Sequence, residues 1–70
     1  MKRTDVDSSM LASVGYNEKE QILEVEFNHG GIYEYYDVEK EVYDDLMNAD
    51  SLGRYFINNI KDDYDYIQIH

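Results

Sequence analysis

The 70-residue chain contains no cysteine, no proline and no tryptophan. Without cysteine, no disulfide can staple the fold and no thiolate can hold a metal. Without proline, no segment is barred from helix or strand. Positive charge is scarce: six Lys and Arg stand against sixteen Asp and Glu, a formal charge of -10. Affinity for nucleic acid comes mainly from cations that neutralise phosphates, so this balance disfavours a polyanion and favours a basic partner. Self-repulsion among the acids should also weaken the fold at low salt. No apolar run approaches the roughly 20 residues of a membrane-spanning helix. The charged start Met1-Lys2-Arg3-Thr4-Asp5 lacks the apolar stretch of a secretory signal. A cytoplasmic protein without a membrane partner is expected.

What the chain has in plenty is tyrosine: eight, with two phenylalanines. Each large ring buries roughly 150–250 Å². That load lets a short chain assemble one core, so residues 1–70 are read as one domain, with 1–7 as a flexible arm that orders toward its end.

Residues 10–16 read as a strand, with Met10, Ala12, Val14 and Tyr16 as its more apolar face. After a polar turn at 17–20, Leu23, Val25 and Phe27 alternate with Glu24 and Glu26, the period of a half-buried strand. Asn28-His29-Gly30-Gly31 breaks it, and the adjacent glycines supply the positive φ of a tight reversal. Residues 32–37 return as the partner strand, Tyr33 and Tyr35 on one face, Glu34 and Tyr36 on the other. Val38, Val42, Leu46 and Ala49 then fall at helical spacing, which predicts a helix over 39–48 with Asp37 as its cap. Leu52, Tyr55, Phe56 and Ile60 form the stripe of a second helix over 52–61, capped by Asp50 or Ser51. Gly53 costs that helix roughly 1 kcal/mol relative to alanine, which a close backbone approach would explain. Residues 64–69 read as a last short strand. The expected order is β-β-β-α-α-β: an α+β fold whose small antiparallel sheet, three N-terminal strands plus a C-terminal one, packs against two helices.

The runs Asp7-Ser8-Ser9-Met10, Val14-Gly15-Tyr16, Leu23-Glu24-Val25-Glu26-Phe27, the glycines 30 and 31, and Tyr33-Glu34-Tyr35 together resemble the KTSC domain family, with its central Tyr-x-Tyr. Ala49 to Phe56, Ile60-Lys61 and Tyr64 are similar to its C-terminal half. The family takes its name from the C-terminal extension of some lysyl-tRNA synthetases, and it also occurs as small stand-alone proteins of bacteria and phages. The resemblance implies an RNA-binding, and specifically tRNA-binding, role.

The candidate site residues are Tyr33, Tyr35, Tyr36, Arg54 and Lys61. Tyr33 and Tyr35 either pack under the helices with Leu23, Val25 and Phe27 or form a stacking platform for bases. Tyr36, on the other sheet face, is the candidate for an exposed contact. Arg54 and Lys61, seven apart, fall on one helix face and with Lys40 outline a small anion site; against this, Asp50 stands four before Arg54 and suits a local ion pair. Ser8 and Ser9 suit backbone hydrogen bonding at a strand start. His29 in a turn and the terminal His70 offer no oriented base for a catalytic triad. The acids at 44–45 and 62–65 lack the spacing of a calcium loop, so neither metal nor cofactor is expected.

The functional expectation is a small acidic, non-catalytic interaction module. It would bind a basic protein or self-associate through exposed tyrosines: Tyr36, and Tyr43 or Tyr66. RNA binding is the alternative that the resemblance implies. A nucleic-acid mimic, or a protein that sequesters a small ligand, is a third reading carried by charge and size.

Overall fold

The computed structural model describes all 70 residues. Five strands and two helices follow in the order β1 (Thr4–Asp5), β2 (Leu11–Asn17), β3 (Ile22–Phe27), β4 (Ile32–Tyr35), α1 (Lys40–Met47), α2 (Leu52–Asn59) and β5 (Tyr66–Gln68). The strands lie in sequence order in one sheet, every neighbouring pair antiparallel. The helices bridge β4 to β5 and cover one sheet face.

The β3–β4 hairpin follows from its alternation. Leu23 pairs with Tyr35 and Val25 with Tyr33 on the covered face, while Glu24 pairs with Glu34 on the open one. Gly30 and Gly31 turn the chain at φ +109 and +96, a region that costs any other residue strain. Leu23, Val25 and Tyr35 then meet Leu11, Val14, Val38, Leu46, Phe56 and Ile60 in one dry cluster.

Four expectations need correction. The sheet has four N-terminal strands, because Thr4 pairs with Val14 and Asp5 with Ser13. Both β1 residues are exposed, so their pairing is a main-chain matter that leaves no apolar pattern to read. In β2 Leu11 takes the core place expected of Ala12, beside Val14 and Tyr16, since an irregularity between Leu11 and Ser13 inserts an extra residue and shifts the phase. Asp37 does not cap α1: it sits at φ +59, and Glu39 takes the cap position without a side-chain bond. Finally, α2 ends at Asn59, so Lys61 lies in the turn beyond it.

Other expectations hold. Ser51 caps α2, its hydroxyl accepting from the Arg54 N–H at 3.2 Å. Ser8 Oγ accepts from the N–H groups of Met10 and Leu11 just before β2. The glycine in α2 has a packing reason, for a Cβ on Gly53 would lie 3.2 Å from that of Met10.

The open face is neither bare nor purely acidic. Glu24 is buried there, 5% exposed, and pairs with the Arg3 guanidinium. Arg3 Nε also donates to Ser13 Oγ at 2.9 Å, and that hydroxyl donates to Glu26 at 2.8 Å. The segment 1–3 reaches this position because Gly15 has no side chain: a Cβ there would stand 2.8 Å from the Lys2 carbonyl oxygen. Arg3 offsets the repulsion that facing Glu24 and Glu34 would otherwise exert across the hairpin.

Candidate ligand-binding cleft

The antiparallel pleat sends the side chains of Tyr33 and Tyr35 to the covered face. β5 pairs Tyr66 with Tyr35, which adds a third tyrosine to that row. Phe27 at the end of β3 and Phe56 on α2 complete an aromatic cluster. Phe56 meets Phe27 and Tyr35 edge-on, each with centroids 5.4 Å apart, and Tyr66 lies 5.3 Å from Tyr35 and 5.8 Å from Tyr33. Tilted and edge-on contacts at these distances are the arrangements that ring quadrupoles favour.

The helices do not cover the whole row. Between β4–β5 and the end of α2 a cleft of about 330 Å³ remains, walled by the five rings with Met10 and Ile57 and edged by His29, Lys61 and Asp62. Such a mostly apolar concavity with a few polar groups at its mouth is the ordinary form of a small binding site. It has room for one side chain or one base.

The exposure of its tyrosines is graded. Tyr35 is 3% exposed and belongs to the core, Tyr33 is half-buried, and Tyr66 is 54% exposed. Both readings of the Tyr-x-Tyr therefore describe part of the geometry, with Tyr35 structural and Tyr33 reaching the cleft. None of the three hydroxyls makes a hydrogen bond within the chain, yet no fully buried side-chain polar atom lacks a partner. The hydroxyls therefore open toward solvent. Burial pushes the Tyr35 phenol up to about 12, with neighbouring Tyr66, Tyr33 and Asp62 adding to the effect. At neutral pH it is a hydrogen-bonding alcohol, not a charge.

Of the five residues singled out from sequence, the structure brings together Tyr33, Tyr35 and Lys61. Arg54 stands apart beside Ala49, Asp50, Ser51 and Tyr55. The anion site of Lys40, Arg54 and Lys61 does not form. Lys61 leaves the helix face, and Lys40 is engaged with Asp44 at 3.0 Å, which is the i,i+4 ion pair of this structure in place of Asp50–Arg54. Tyr36 lies half-buried and donates to Glu34 at 3.0 Å, a bond that raises its pKa. Tyr43 is stacked on Tyr16 at 4.9 Å and half-buried, so it offers little free surface. Sequence reasoning missed Phe27, Phe56 and Ile57 as cleft residues. Phe27 and Phe56 read as core, and only the missing cover over their outer edge makes them a wall.

No helix is long and apolar enough to cross a membrane, and no group of three or more His, Cys, Asp or Glu side chains is placed to hold a metal ion.

These features define a small α+β domain in which a five-stranded antiparallel sheet and two helices leave an aromatic cleft open at one end. Residues 7–64 match the KTSC domain, and the chain belongs to that family. The match stops short of β1 and β5, the two edge strands. The crystal structure of a KTSC domain protein from Yersinia pestis superposes with a TM-score of 0.96 at 33% identity, covering 99% of this chain and 97% of that one. An uncharacterized protein of Stutzerimonas stutzeri is 54% identical over 56 residues, 80% of this chain and 79% of its own length. The chain is also similar to a lysine–tRNA ligase of Nostoc punctiforme, 36% identical over 63 residues, which span 90% of this chain and 11% of that enzyme.

Proposed function

We propose that this chain is a small, non-catalytic recognition module for a basic protein partner, with the cleft lined by Tyr33, Tyr35 and Tyr66 as the seat of an apolar or aromatic side chain. The observation that carries this reading is the convergence of five rings on one open cleft in a chain of charge -10. Rings supply contact area at little entropic cost, and the acidic exterior steers a cationic partner toward it. Tyr36 sits on the other sheet face and takes no part. Tyr66→Ala tests the reading, since Tyr66 is exposed and its loss leaves the core intact. In affinity capture from a cell extract, the partner is expected to be basic, to be lost with Tyr66→Ala, and to be released as salt rises. A partner that the variant retains, or that salt does not release, would contradict the reading.

One observation favours RNA as a second reading: the chain is similar over most of its length to a lysine–tRNA ligase. Tyr33 and Tyr66 would then stack an unpaired base, with Lys61 toward a phosphate and Tyr35 beneath the stack. Arg54, distant from the cleft, plays no part in that arrangement. Gel-shift titration with tRNA at low ionic strength decides between the two. Binding abolished by Tyr33→Ala and by Lys61→Glu establishes the RNA reading; no binding where electrostatic contacts are strongest dismisses it.

A further inference from the structure

β5 is an edge strand of an unusual kind for a natural sheet. It carries no Lys and no Pro, and large apolar side chains stand open on and beside it: Tyr66, Ile67 and Ile69 are 54%, 57% and 46% exposed. Natural edges are normally blunted by charge or covered, because an open row of N–H and C=O groups invites another strand. The ladder fixes which groups are open. Asp65 accepts from the Tyr36 N–H at 2.9 Å, and the Ile69 N–H donates to Ile32 at 2.8 Å, so residues 65, 67 and 69 bond inward to β4. By the alternation of an antiparallel ladder, the main-chain groups of Tyr66 and Gln68 point outward. Their side chains share the covered face with Tyr35 and Tyr33. The open edge and the cleft are thus two sides of one feature.

We infer that the cleft is filled by strand addition: an extended, basic segment of a partner protein pairs with the outer edge of β5. The inference rests on the recognition reading above and specifies its geometry. A residue placed opposite Tyr66 lies on the same face as Tyr66, beside the cleft and across from the exposed Ile57 of α2. An apolar side chain belongs there. The residue opposite Ile67 emerges on the other face, where Glu34 is the next strand's residue in register. A cation belongs there. Asp62, Asp63 and Asp65 lead into β5, so with Glu34 the local balance is four acids against Lys61 alone. This charge pattern selects a segment that alternates basic and apolar residues. It also argues against a second copy of the chain on the same edge, which would join two bodies of charge -10 along one seam.

The probe is a capped heptapeptide, Lys-Val-Lys-Phe-Lys-Val-Lys, titrated into the full chain and followed by amide NMR and hydrogen exchange. Slowed exchange at Tyr66 and Gln68, with shifts in Tyr33, Ile57 and Tyr66, is expected. An analogue N-methylated at its Phe and both Val residues, which keeps the side chains but removes the pairing N–H groups, should bind at least tenfold more weakly. Gln68→Pro should do the same to the unmodified peptide. It removes an outward N–H and spares the β4–β5 ladder. If the analogue and the variant bind as well as the parents while the cleft shifts remain, strand addition is overturned and the recognition reading stands. If the peptide produces no shifts, both fall. Equal binding of a peptide with Glu in place of Lys overturns the basic occupant. Dimerisation of the chain alone through β5, or tighter binding of an oligouridylate to the cleft, overturns the assignment of the edge to a partner protein.

Discussion

Two groups of tyrosines serve the helix-covered side of the sheet, and they differ in what their hydroxyls do. In one group, Tyr16 donates to the Val38 carbonyl at 2.5 Å, Tyr64 donates to Glu39 at 3.0 Å, and Tyr55 lies beside Asp45. Tyr16 also stacks on Tyr43. Those rings tie the loop before α1 to the sheet, the turn after α2 to the start of α1, and α2 to α1. In the other group, Tyr33, Tyr35 and Tyr66 pack ring against ring and bond to nothing through their hydroxyls. The same residue type thus serves as a strut where its polar tip is engaged and as a contact surface where it is free. In a chain this small, an unengaged polar tip at an open apolar wall marks the surface left for a partner.

The largest test of this contrast is Phe56→Ala. Phe56 is 2% exposed and contacts both Phe27 and Tyr35, so the cleft end should collapse. A loss of about 3–5 kcal/mol in urea unfolding is expected. A loss under about 1 kcal/mol would show that the free end is packed independently of the core.

Arg3→Ala is the control that should strike both groups alike, since it acts from the far side of their common sheet. It strands the buried Glu24 carboxylate, and a cost of about 3 kcal/mol is expected, the low end for breaking a buried pair because Arg3 is part-exposed. Adding Glu24→Gln should restore much of it. A double variant no more stable than Arg3→Ala would mean that the arm contributes by packing alone.

The direct comparison removes single hydroxyls. Tyr16→Phe should cost about 1 kcal/mol, because it deprives the Val38 carbonyl of its donor. Tyr33→Phe should stay within about 0.5 kcal/mol. Equal effects would erase the distinction between the two groups.

The smallest effect is spectroscopic. Burial pushes Tyr64 up to about 12, with its hydrogen bond to Glu39 adding to the shift, whereas Tyr35 reaches about 12 by burial above all. Glu39→Gln should lower the Tyr64 transition in an ultraviolet titration and leave that of Tyr35 in place. Both folded values lie above the unfolded value of 10, so the folded state holds its protons more tightly. Their contribution to stability is complete below pH 10 and is lost as pH rises from 10 through 12. Unfolding midpoints that stay level across that window would contradict this.

The hairpin at 22–35 was legible because Leu23, Val25 and Phe27 alternate with acids and two glycines follow. The stripe Leu52, Phe56 and Ile60 marked α2 in the same way. The phase shift in β2 was hidden, because Leu11-Ala12-Ser13-Val14 fits two alternations until a partner strand selects one. β1 was hidden because its two residues pair by main chain alone. The cleft was half legible: its tyrosines stood out, but Lys61 was projected onto a helix that stops two residues earlier.

Local order along the chain therefore determined which residues leave water, which elements they form, and the strongly negative exterior. That much follows from side-chain period and charge, which need no distant neighbour. Which side chains meet was decided only by the assembled sheet and helices. Arg3 finds Glu24 across 21 positions, Tyr33 and Tyr66 lose the cover that Tyr35 and its apolar neighbours receive, and β5 is left at an edge with Tyr66 over the cleft. Register, helix ends and strand order set those distances, and each is fixed by packing between segments far apart in sequence rather than by any residue within them.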